Sequence, residues 1–304
     1  MIKTVDEYLE KLRKGLIGCD PALMQDALAD AEEHLRLGLE QAPGGGGEAA
    51  SAAAALQALI EKYGEPDEVA SAYREIEARS DPALPPPRRP GYRSLWGRFF
   101  AIYADPRAWG SFLYLLFGMV TGCFYGMWVL FGASFSLISL ILIIGLPVSG
   151  LFLLSVRGIA LMEGRIVEAL LGVRMPRRAL FVQEGLSWKG KFKALVTASQ
   201  TWRSLVYLFL QFPLGALYSS VTFVLFGFSI KMAIYPFWYH VLGRPLITFA
   251  EPYFPPGWLV PFSCLAGILL LPLTLHFTKR LGRWHGRYAK AMLVGKKHTA
   301  SAAQ

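Results

Sequence analysis

The chain has 304 residues, 54% of them hydrophobic and only 17% charged, with a mean hydropathy of +0.37, which exceeds what one soluble core needs and fits several lipid-facing segments. Its formal net charge of +9 is divided unevenly: residues 1–81 hold 17 Asp and Glu against 8 Lys and Arg, and the remainder holds 5 against 23. The basic residues flank apolar runs and form no free-standing patch, which argues against direct nucleic-acid binding and for the anionic inner leaflet of a membrane as the counter-charge.

From the N-terminus, residues 1–79 read as an acidic cytoplasmic helical domain. Val5, Tyr8, Leu9, Leu12 and Leu16 form one apolar stripe of an amphipathic helix. Asp20 then caps a second helix that opens at Pro21 and runs to about Gln41, where Pro43 and four glycines end it. A third helix covers about Ala49 to Tyr63, and a fourth opens at Pro66 with Asp67 and Glu68 in its first turn, as the helix dipole favours. No apolar signal segment occupies the first twenty residues, so this domain is expected to stay on the side where it is made.

The pattern Tyr8-Leu9-x-x-Leu12, Asp30-x-x-Glu33-His34-Leu35 and Tyr63-Gly64-Glu65-Pro66-Asp67-Glu68-Val69-Ala70 resembles the short HAAS signalling domain of bacteria. The resemblance implies a relay at the membrane in company with a transcriptional regulator of the PadR type. The four-glycine insertion departs from that family's usual short loop.

Residues 80–98 form a linker rich in proline and arginine, extended because its prolines forbid continuous helix. Residues 99–304 then read as a four-span membrane domain, all helical because a span must satisfy its own backbone hydrogen bonds. Trp109–Gly132 and Ser134–Val156 carry no charge and are expected to form a tight hairpin turning at Ala133. Further spans are expected over about Ser204–Ile230 and Trp258–Phe277. Lys and Arg are nearly absent from the two intervening turns, which places both termini in the cytoplasm.

These segments repeat. Trp109, Ser111, Tyr114, Gly122 and Tyr125 are matched at one constant offset by Trp202, Ser204, Tyr207, Gly215 and Tyr218, and Gly164-Arg165 by Gly286-Arg287. The expected architecture is a four-helix transmembrane bundle of two parallel hairpin repeats. Each hairpin is followed by a basic amphipathic helix, Arg157–Met175 or Lys279–Val294, lying on the inner leaflet; the alternative is that these helices continue the spans.

Three sets of residues stand out as candidates. Gly118, Gly122 and Gly126 form a flat stripe, suited to packing against another span or to a homodimer face. Pro147, Pro213 and Pro272 are expected to kink their spans. In the outward loop, about Lys231 to Pro256, an aromatic belt at headgroup level accounts for most of the residues. Trp238, His240, Arg244, Glu251 and Trp258 there are candidate contacts for a lipid or amphiphilic cue. Catalysis has no support: the chain shows no nucleophile motif or nucleotide fingerprint, no cofactor is implied, and Cys19, Cys123 and Cys264 have no metal-ligand spacing.

Trp202-Arg203-Ser204-Leu205-Val206-Tyr207-Leu208 and Phe212-Pro213-Leu214-Gly215, with Ile144-Gly145-Leu146-Pro147, resemble the sensor domain that precedes some bacterial histidine kinases. No phosphoacceptor or ATP-binding module follows Val294. The expectation is therefore a non-enzymatic inner-membrane sensor or adaptor that signals through its N-terminal domain, against an alternative of a transporter or lipid-handling protein.

Overall fold

A computed structural model describes residues 2–41, 49–79, 94–141, 145–177, 188–246 and 253–294, and among these the regular elements are all helices; Leu246 N–H donates to Tyr253 O at 2.9 Å. The N-terminal helices are α1 (Val5–Gly15), α2 (Pro21–Gln41), α3 (Ala49–Tyr63) and α4 (Pro66–Arg79). Thr4 caps α1 by accepting from the Glu7 N–H, and Asp20 accepts from the Ala22 N–H at the start of α2. Tyr8, Leu12 and Leu16 of the first segment close over Ala31, Leu35, Leu56 and Ile60, forming a core of their own. Each such large side chain contributes about 1.5–3 kcal/mol by leaving water.

The remaining helices are α5 (Leu95–Phe100), α6 (Pro106–Ile141), α7 (Gly145–Leu171), α8 (Trp188–Thr197), α9 (Ser199–Leu242) and α10 (Val260–Leu293). Four segments are long and apolar enough to cross a membrane: α6, α7, α9, and Gly257–Leu293 containing α10. At most a third of their most apolar windows is buried within the chain, and large side chains such as Phe131, Ile141 and Phe223 point outward. This is the exterior of a membrane protein, which lipid and not protein covers.

Several expectations are corrected. Ala133 is no turn: α6 runs through it to Ile141, because Gly132, Ala133 and Ser134 are small but compatible with helix, and Gly132 gives room to the Phe152 ring. The amphipathic segments do not lie apart on the leaflet; α7 and α10 pass through Arg157 and Lys279 without a break, since no residue there interrupts the hydrogen-bond ladder. The outward loop is shorter than expected, as α9 continues through Lys231 and Pro236 until Gly243, whose φ of 57° suits glycine, ends it. Pro147 sits in the first turn of α7, where a missing N–H costs nothing, so it kinks no span, whereas Pro213 and Pro272 do lie inside helices.

The two hairpins are not parallel. The Phe112 and Phe226 rings meet at a tilt with centroids 4.5 Å apart, the Ser219 hydroxyl donates to Leu116 O, and Gly122 meets the backbone of Gln211, so α6 runs against α9. Asp105 pairs with Lys279 and Tyr114 with His285, so α6 runs with α10. Charge counting placed both hairpin tips on one side; the packing points them in opposite directions. A Cβ on Gly118 would lie 3.3 Å from Gly215 Cα, and this close backbone crossing is what the two glycines permit.

Candidate functional site

Where α6, α7, α9 and α10 overlap, the centre of the bundle is polar. Glu163 of α7 is fully buried, and His285 of α10 nearly so. The carboxylate accepts the Tyr114 hydroxyl at 2.5 Å, the Tyr125 hydroxyl at 2.8 Å and the Tyr207 hydroxyl at 3.2 Å. His285 Nε2 lies 2.7 Å from the Tyr114 oxygen and 3.2 Å from that of Tyr207, and Gln211 Nε2 donates to Tyr114 at 3.0 Å.

Proton counting orders this cluster. A tyrosine hydroxyl has one proton to give, so if all three donate to Glu163, His285 must donate from Nε2 to the tyrosine oxygens. His285 Nδ1 and Gln211 Oε1 then remain buried without partners. The cluster is a closed relay between a carboxylate on one helix and an imidazole on another, with tyrosines of the two remaining helices as links. Among the described residues no three His, Cys, Asp or Glu stand close enough to hold a metal ion.

The sequence reading missed Glu163 and His285 because it placed both on surface helices. The signal that points to them is the repeat itself: Glu163 and His285 each precede a matched Gly-Arg pair, and Tyr114 and Tyr207 are matched residues.

The N-terminal domain rests against this bundle. Ala22 of α2 is buried in the same apolar cluster as Met175, Leu293 and Val294. Lys290 donates to Asp20 at 2.5 Å, and the Arg177 N–H donates to Asp26 at 2.6 Å. Within the domain, burial, then the nearby Glu65 and Glu68 carboxylates, push the Tyr8 hydroxyl up from its ordinary range. Burial and Asp30, which accepts the Tyr63 hydroxyl at 3.1 Å, push Tyr63 up likewise.

The expected cue contacts do not converge. Trp238 packs partly buried against Tyr235, Leu246 and Val260, His240 and Arg244 are exposed, Trp258 is exposed beside Phe262, and Glu251 lies outside the described residues. Of the glycine stripe, Gly118 and Gly122 face the α9 backbone and Gly126 faces Phe212.

Comparison with protein families gives two matches. The model described as "Putative sensor" covers residues 114–293, and the HAAS model covers residues 7–72. Searches of curated proteins and of solved structures return no significant match. The sensor match spans more than half the chain, from Tyr114 of the polar centre to the end of α10, and the HAAS match lies within the helical domain docked on it. The chain is thus a multi-pass membrane protein of the sensor family, carrying an N-terminal HAAS domain.

Proposed function

We propose that this protein is a non-enzymatic sensor of the bacterial inner membrane, which passes a membrane or envelope cue to a cytoplasmic regulator through its HAAS domain. The observation that carries the reading is the docking of α2 on the bundle: Ala22 is buried beside Leu293, and Asp20 is paired with Lys290, both on the helix that bears His285. A change in packing around Glu163 and His285 alters the helix ends that hold the HAAS domain. HAAS domains accompany regulators, and the resemblance points to the PadR type. We place the docked domain and the C-terminal end of α10 together on the cytoplasmic face, where the Lys and Arg of α10 meet anionic lipid.

The test is capture of a co-expressed PadR-type regulator by the full-length protein in detergent. Ala22→Trp, which wedges α2 off the bundle, is expected to change the captured amount severalfold; a regulator never captured, or captured equally by both forms, sinks the relay.

One observation favours a second reading as a carrier: hairpins that run against each other around a buried polar centre are also the arrangement of many transporters. That reading requires solute or proton flux in reconstituted vesicles, and vesicles no leakier than protein-free ones would rule it out.

A further inference from the structure

The two halves of the bundle treat the start of their long helices differently. In the first half, Asp105 precedes α6 in an extended conformation, φ −91° and ψ 108°, and one carboxylate oxygen accepts the Arg107 N–H at 3.0 Å. Its other oxygen pairs with Lys279 of α10. The carboxylate thus satisfies both a helix N-terminus and a cation projecting from a neighbouring helix.

At the offset that relates Trp109 to Trp202, the counterpart of Asp105 is Ala198; at the offset that relates Gly164 to Gly286, the counterpart of Lys279 is Arg157. The local geometry is kept. Ala198 precedes α9 with φ −70° and ψ 115°, and Trp202 Nε1 donates to Val196 O as Trp109 Nε1 donates to Tyr103 O. The cation is kept as well, but the carboxylate is gone: among the described residues no side chain caps α9, and the Arg157 guanidinium donates from Nε to Thr201 Oγ1 at 3.0 Å.

Beside the first turns of α9 is a crevice of about 30 Å³, lined by the polar Arg157, Gln25, Gln200 and Ser204 and otherwise by apolar residues such as Leu161 and Leu293. That is room for roughly two waters or one small oxyanion. Ser204 is only 2% exposed and lines this crevice, yet among the described residues its hydroxyl makes no hydrogen bond, whereas its counterpart Ser111 donates back to Arg107 O at 2.7 Å. Gln200 Oε1 is also buried and unpartnered, an acceptor suited to a protonated oxygen of the ligand. A partly buried guanidinium without a carboxylate and a serine hydroxyl lining the same crevice, at the positive end of a long helix, call for an anion with several oxygens.

The geometry points to a phosphate-binding site in the crevice between Arg157, Ser204 and the start of α9, where the ligand occupies the place that the Asp105 carboxylate fills in the other half. The phosphate comes either from a lipid headgroup or from solution. Arg157 supplies its terminal guanidinium nitrogens, Ser204 its hydroxyl, and α9 its first free N–H groups. Gln25 of the HAAS domain borders the same crevice, so the bound anion lies at the joint between sensor and output. Its effect on output rests on the relay proposed above; the site itself does not.

The experiment uses the full-length protein, wild type, Arg157→Gln and Ala198→Asp. In one arm the protein in neutral detergent is titrated with inorganic phosphate against chloride at equal ionic strength. In the other it is held in phosphatidylcholine nanodiscs with increasing phosphatidylglycerol, and retained lipid is counted by native mass spectrometry. Wild type is expected to bind saturably in at least one arm, with affinity at least about tenfold weaker in both variants, a loss of about 1.4 kcal/mol or more. Ala198→Asp should keep or raise Tm, because it restores a cap, so it carries the test even if Arg157→Gln folds poorly. Saturation by phosphate alone assigns the ligand to solution, and saturation by phosphatidylglycerol alone assigns it to the headgroup. The site is overturned by an absence of saturable binding in both arms. It is equally overturned by binding that survives Ala198→Asp, since the anion would then sit elsewhere.

Discussion

The HAAS domain and the membrane bundle are built with opposite polarity. In the first, Leu12, Leu35 and Ile60 fill the centre while Glu7, Glu10 and Lys14 ring the outside in exposed pairs. In the second, Phe131, Phe135 and Ile141 face outward, and the centre holds Glu163, His285, Gln211 and three tyrosines. Water drives the first arrangement. In lipid, apolar surface gains nothing by turning inward, so hydrogen bonds and close backbone contact must specify the bundle. The same substitution therefore has opposite meanings in the two regions.

The sharpest way to break that contrast is to exchange the character of the two centres. Glu163→Leu should destabilise the bundle by about 3–5 kcal/mol, since it strands the three tyrosine hydroxyls that donate to the carboxylate, whereas Leu12→Ala should cost the HAAS domain about 2–5 kcal/mol through a cavity. Site-resolved hydrogen exchange on the full chain in detergent separates the two. Equal loss of protection in both regions after either change would refute the idea of two distinct cores.

Backbone contact can be tested at Gly215. Replacement by Leu forces its side chain into Gly118 and should cost about 1–3 kcal/mol, read as a lower Tm, with Phe131→Ala on the lipid face as a near-neutral control.

Alkaline titration should separate the regions further. Tyr8 and Tyr63 are both raised above the ordinary value of 10.0, so the folded HAAS domain holds these protons more tightly than the unfolded chain. The stability they contribute is complete below about pH 10 and falls as pH rises beyond it. Unfolding curves followed by circular dichroism should show that decline, and Tyr63→Phe should flatten it; a stability independent of pH above 10 contradicts the assignment. The smallest effect is expected at the joint, where Lys290→Ala removes a partly exposed ion pair worth at most about 1 kcal/mol and should speed exchange at the start of α2 while leaving both cores intact.

Much of the fold was legible along the chain. The stripe Tyr8, Leu12, Leu16 and the caps at Asp20 and Pro66 marked the HAAS helices almost to the residue, because capping and periodicity are local. Ala133 and Pro147 misled, since a small residue or a proline acts differently inside a span and at its end. His240 and Arg244 looked like a cluster in sequence but stand exposed at the close of α9, where a longer helix replaced the expected loop.

That four apolar helices follow an acidic helical domain could be read from the chain alone, because length, hydropathy and capping are properties of short local stretches. The packing is what sets α6 against α9, brings Glu163 and His285 together at the centre, and carries Asp20 to Lys290. Those contacts join residues far apart in the chain, and the face a helix turns inward depends on the partner it packs against, which no local pattern specifies.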